Sequence, residues 1–62
     1  MNIVNKLVET KLCLSKSEAR RAIQQGAVFV NEQRVSDVSL MLDDEQVEKV
    51  RVGLNKKWEK KQ

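Results

Sequence analysis

Ser15-Lys16-Ser17-Glu18-Ala19-Arg20-Arg21-Ala22-Ile23-Gln24-Gln25-Gly26, running directly into Ala27-Val28-Phe29-Val30-Asn31, is the stretch whose reading decides the fold. Ser15 can accept a hydrogen bond from the Glu18 N–H while Glu18 reaches back to the Ser15 N–H, a capping box that predicts a helix beginning at Lys16. At about 100° per residue, Ala19, Ala22 and Ile23 fall on one side and Ser17, Arg20, Arg21 and Gln24 on the other. One face packs and the other is left to bind. Gly26 stands where a left-handed residue ends a helix without a Cβ clash. The period then changes. Val28, Phe29 and Val30 favour strand, and Asn31-Glu32-Gln33 breaks the run before Arg34-Val35, so a hairpin should follow. The small alanines allow close helix approach, which is expected to bring the arginines beside the hairpin tip.

In order and without gaps, the Ser-x-Ser-x-x-Ala-Arg helix, the glycine stop and the Val-Asn turn resemble the S-four RNA-binding domain, a module named after a small-subunit ribosomal protein. The likeness is greatest to the version at the C-terminus of bacterial-type tyrosyl-tRNA synthetases. It covers nearly the whole chain, most strongly from Lys6 to Asp37 and more loosely from Val50 to Trp58. The resemblance implies an RNA-binding surface made of the second helix and the hairpin loop, reading backbone shape at bent or junctional RNA. Carried over residue by residue, it implicates Lys16, Ser17, Arg20, Arg21, Gln24 and Asn31. Glu32 departs from the glycine frequent after Val-Asn in that family, which implies a different turn and sets a carboxylate near any phosphate.

Sixty-two residues make one domain, 1–62, too short for a catalytic fold with a deep cleft. A chain of this size buries only about 60% of its unfolded surface. One cysteine excludes an internal disulfide, and the absence of histidine argues against a protein-only zinc site. Cys13 reads as a small apolar filler near the helix junction. No apolar run nears the ~20 residues that span a bilayer, and the N-terminus lacks the order of a secretory signal. The context reads as cytosolic or organellar, with cytoplasmic as the expectation. The net charge of +3 hides a pattern: residues 1–30 carry +3, residues 31–50 carry −4 and residues 51–62 carry +4. Basic ends around an acidic middle fit a phosphate-binding surface assembled from both ends, with ordinary surface charge as the alternative.

Residues 2–11 read as a first helix capped by Asn2, with Ile3, Val4, Leu7 and Val8 inward and Asn2, Lys6 and Glu9 away. Leu12 and Leu14 are expected to plug the junction with the second helix. Val38, Leu40, Met41 and Leu42 supply apolar bulk, and Asp43-Asp44-Glu45 reads as a solvated turn rather than a metal site, because adjacent acids do not converge on one point. Val50 and Val52 alternate with Arg51 and Gly53, predicting a last pair of strands that turns near Gly53, with Leu54 and Trp58 finishing the core. Asn55 to Lys61 is a basic strand or frayed end. A winged helix-turn-helix ranks lower, since a third helix is missing.

No base paired with a nucleophile, glycine-rich phosphate loop or metal set is present. Leu14-Ser15-Lys16-Ser17 is superficially similar to the Lys-Met-Ser-Lys-Ser loop of class I synthetases, but that loop works beside a nucleotide-binding domain for which this chain has no room. Arg20 and Arg21 can fork onto phosphate oxygens. Ser17 and Gln24 offer uncharged donors, Lys11 and Arg34 can extend the patch, and Asn31 can contact a groove or a 2′-hydroxyl. Phe29 and Trp58 are too few for a stacking platform, and Phe29 should point opposite to Val28 and Val30.

The expectation is an α+β domain: two packed N-terminal helices, a β-hairpin and a short closing antiparallel sheet. It has no catalytic residues, cofactor, metal or small-molecule substrate, and it binds structured RNA. By resemblance that RNA is tRNA and the chain is the appendage of a tyrosyl-tRNA synthetase. Two alternatives stand: a freestanding ribosome-associated S-four protein, and a protein-interaction module in which the acidic middle would matter as much as the arginines.

Overall fold

The computed structural model describes residues 1–60. Asn2 accepts from the Val4 N–H at 2.8 Å and starts helix α1, Ile3–Glu9. Ser15 accepts from the Glu18 N–H at 3.2 Å and starts α2, Lys16–Gln24. The return bond of the expected capping box lands one residue earlier, with Leu14 N–H donating to Glu18 Oε2 at 3.3 Å. The other carboxylate oxygen of Glu18 holds Lys56 Nζ at 3.4 Å, so the side chain joins the helix start to the far strand. Gly26, at φ +72°, closes α2 as its position predicted.

Four short strands follow: β1 Val28–Val30, β2 Gln33–Val35, β3 Lys49–Val52 and β4 Lys56–Glu59. All neighbours are antiparallel and the order across the sheet is β2-β1-β3-β4. The β1–β2 connection is the two residues Asn31 and Glu32, at φ 50° and 70°. Two successive positive φ values mark the primed hairpin turn, whose twist matches the strands it joins. Asn tolerates that conformation, whereas Glu in the glycine position pays about 1–2 kcal/mol for its Cβ.

Because Cα partners share a face, Val28, Val30, Val35, Val50, Val52 and Trp58 point together toward the helices. They meet Ile3, Val4, Leu7, Leu12, Cys13, Ala19, Ala22 and Ile23 in one apolar cluster. Residues 38–42 run beside the N-terminus: Ile3 N–H donates to Leu40 O at 2.9 Å, Leu42 N–H to Met1 O at 2.7 Å, and Asn2 bridges Met41.

Several packing expectations need correction. Lys6 was expected to face away from α1's apolar stripe but is 6% exposed. It stands only about 60° round the helix from Ile3, so the stripe is centred on Ile3 and Leu7 and Val8 is its half-buried margin. Its aliphatic stem is buried while the ammonium sits 4.6 Å from the Trp58 ring centroid and 3.6 Å from Asp44. Leu14 is 85% exposed, because Leu12 and Cys13 already fill the junction. Leu54, at the tip of the β3–β4 turn, is 97% exposed, and Met41 faces solvent on the outer side of its bridge. Trp58 is half-buried against the core, as expected. Lys61, part of the expected basic end, lies outside the described residues.

Candidate nucleic-acid interface

Lys16, Ser17, Arg20, Arg21 and Gln24 are all exposed on α2. They occupy an arc of about 140° along roughly 12 Å of helix, while Ala19, Ala22 and Ile23 are buried behind them. Glu18, the acid within this helix, is committed to Lys56. Among the described residues, therefore, no carboxylate lies within ion-pair distance of Lys16, Arg20 or Arg21. Five- and three-donor cations held without an acid neighbour on a rigid element are suited to phosphate oxygens.

Arg34 joins this face by an unexpected route. Its Cδ lies 3.7 Å from where a side chain at Gly26 would begin, so the base of the hairpin, not its tip, adjoins the end of α2. The cause is chain direction: β1 starts two residues after Gly26 and runs away from the helix, carrying the tip about 10 Å off.

At that tip the Asn31 side chain is spent inside the molecule. Its Oδ1 accepts from the Glu48 N–H at 2.8 Å and the Lys49 N–H at 3.0 Å, and its Nδ2 donates to Gln46 O at 2.8 Å. The amide thereby fastens the turn to the strand entering β3. Glu32 pairs with Lys49 at 3.5 Å. Lys11 occupies the α1–α2 reversal in a left-handed conformation, φ 64°; among the described residues no ion pair links its side chain to α2.

The register joins Arg34 to residues that reading along the chain did not select for the site. On the sheet face away from the helices, Arg34, Phe29, Arg51 and Lys57 are successive Cα partners, one from each strand in sheet order. The row is about 14 Å long at 4.7–4.9 Å per strand. Phe29 points outward, opposite to Val28 and Val30 as expected, with the Arg51 guanidinium carbon 4.4 Å and the Arg34 carbon 5.8 Å from its ring centroid. In the next row Lys49 faces Glu59. The sequence signals for this arrangement were the outward phases of Phe29 between Val28 and Val30 and of Arg51 between Val50 and Val52.

The acidic segment is occupied with folding. Asp43 Oδ1 accepts from the Glu45 N–H at 3.0 Å and its carbonyl from the Gln46 N–H at 2.9 Å, making the turn that was expected there. Two hydrogen bonds from Ser39 hold the Asp37 carboxyl below its ordinary value. Burial pushes the Cys13 thiol up, Glu18 adds to the rise, and Lys56 opposes it; this is the inert filler expected at the helix junction. Among the described residues no group of three His, Cys, Asp or Glu side chains converges on a metal position, and no helix is long and apolar enough to cross a membrane.

Comparison with known proteins gives this arrangement relatives. The chain is 44% identical over 46 residues to a tyrosine–tRNA ligase of Clostridium botulinum (strain Loch Maree / Type A3), a match covering 74% of this chain and 11% of that protein. It is 46% identical over 43 residues to the tyrosine–tRNA ligase of Clostridium tetani, covering 69% and 11%. For the tyrosine–tRNA ligase of Malacoplasma penetrans the figures are 44% over 55 residues, 89% and 13%. The chain thus spans a small part of the length of these relatives. The family model for the tyrosine–tRNA ligase SYY-like C-terminal domain matches residues 1–61, and the chain belongs to that family.

Proposed function

We propose that this domain binds structured RNA, specifically tRNA, as the non-catalytic C-terminal appendage of a tyrosyl-tRNA synthetase in a cytoplasmic setting. The grip is the α2 face of Lys16, Ser17, Arg20, Arg21 and Gln24, extended through Arg34 onto the outer row of the sheet. Lys11 adds a peripheral cation, and Asn31 serves by shaping the hairpin. The carrying observation is the separation of charge. Three acids are paired internally, Glu18 with Lys56, Glu32 with Lys49 and Asp44 with Lys6, while the arginines of α2 and the sheet row have no such partner among the described residues. The unneutralised arginines favour a polyanion over the protein-interaction reading, two of whose three clustered acids are engaged inside the chain, Asp44 by Lys6 and Asp43 by the Glu45 N–H. Membership of a ligase family supports the appendage over a freestanding ribosomal protein, and aminoacylation belongs on this reading to a separate module.

Titration of the 62-residue chain with folded tRNA, an unrelated RNA hairpin and a DNA duplex across a salt series tests this. The expected result is preference for tRNA, lost in the Arg20→Ala/Arg21→Ala variant. Equal, salt-steep binding to all three would leave only a generic basic surface, and absence of binding at moderate salt would overturn the proposal.

A further inference from the structure

Phe29 is the aromatic residue on the outward sheet face, and its position has no packing explanation. Valines flank it in sequence and are buried at 0% and 8%, while Phe29 stays on the solvent side of the same strand. Its two in-register neighbours are both arginines. A guanidinium over an aromatic face is attracted by the ring quadrupole and loses side-chain freedom, yet stacking leaves its in-plane N–H donors unused. Among the described residues, no carboxylate competes for Arg34 or Arg51, and the nearby acids Glu32 and Glu59 flank Lys49 in the next row.

We infer that Phe29 is a positioning residue for RNA binding: its ring pre-orders Arg34 and Arg51 on either side as a guanidinium pair presented to a phosphate backbone. The inference rests on the RNA-binding reading above and deepens it. Arg34 and Arg51 stand two strands apart, about 9.6 Å between backbones, and each side chain leans in toward the ring. Without the ring both charges remain, but each arginine must be immobilised at the moment of binding, which costs affinity. Charge count and charge order are thereby separable, because the salt dependence follows the number of phosphates neutralised and not how well the cations are held beforehand.

The experiment compares Phe29→Leu, Phe29→Tyr and Arg51→Ala with the parent chain in tRNA titrations over a salt series. Circular dichroism and urea melts confirm folding, and guanidinium 15N relaxation is measured in the free protein. Phe29→Leu is expected to raise Kd about fivefold at unchanged salt slope and to mobilise the Arg51 guanidinium. Phe29→Tyr restores both properties. Arg51→Ala instead lowers the slope by about 0.7–0.9. Parental affinity in folded Phe29→Leu, or equal loss in Phe29→Leu and Phe29→Tyr, would overturn the inference and leave the RNA-binding reading standing. Failure of the parent chain to bind tRNA would overturn that reading and this inference with it.

Discussion

The outer face of α2 and the outer row of the sheet present the same chemistry, arginine and lysine without acid partners among the described residues, by opposite constructions. On α2 the cations are neighbours in sequence, and one helix with a serine cap displays them. On the sheet they come from positions 34, 51 and 57, and only the pairing of four strands makes them a row. The helix face therefore survives any damage that leaves a nine-residue helix standing. The row depends on register, since a slip of one residue would turn Phe29 and Arg51 inward and the valines outward. Arg34 belongs to both, lying beside Gly26 and over Phe29.

The contrast breaks most directly with paired substitutions. Arg20→Ala with Arg21→Ala, and Arg34→Ala with Arg51→Ala, should each weaken tRNA binding by at least about tenfold at moderate salt. Each pair should also lower the salt slope by about 1.4–1.8, for two lost phosphate contacts. Filter binding of the two variants and their combination checks this; a silent sheet pair would confine the interface to the helix. Asn31→Ala comes next, because it removes three hydrogen bonds that tie the hairpin to β3. A loss of about 2 kcal/mol in urea unfolding is expected, with binding through the sheet row reduced more than binding through α2. Glu32→Gly acts in the opposite direction. Relief of a left-handed glutamate should stabilise the domain by about 1 kcal/mol in the same assay and tighten RNA binding by removing a carboxylate beside the row.

The smallest effect concerns neither surface and so serves as the baseline. Asp37 has a folded pKa below its ordinary value of 3.8 because Ser39 hydrogen-bonds its carboxylate. Its contribution is present above the unfolded value and lost as pH falls through the lower, folded one. Asp37→Asn should flatten this acid limb slightly in melts followed from about pH 6 down to about pH 2, with no change in RNA binding.

These two surfaces also show where linear reading stops. The capping serine, the alanine stripe, the glycine stop and the Val-Asn turn are local signals, so α2 and the hairpin could be anticipated from them, as the closing strands could from the alternation of Val50 and Val52 before Gly53. Side chains whose roles depend on distant partners could not. Lys6 looked like a solvated helix residue because Asp44 and Trp58, which make its burial tolerable, are remote in sequence. Asn31 looked like a free amide at a tip because its partners at Gln46, Glu48 and Lys49 lie across a long connection. Leu14 and Leu54 looked like core because hydropathy does not reveal which way a linker or turn residue points.

Trp58 supplies a built-in optical probe. It is the only indole in the chain, it lies on the inward side of β4, and an ammonium 4.6 Å from its ring sets its local field. Its emission should shift when α1 separates from the sheet, since that withdraws the Lys6 charge and admits water together. Polyanions settling on the opposite side of the sheet should leave it nearly silent. One unlabelled fluorophore can therefore report unfolding while a second, extrinsic dye reports occupancy, and the two signals need not be disentangled.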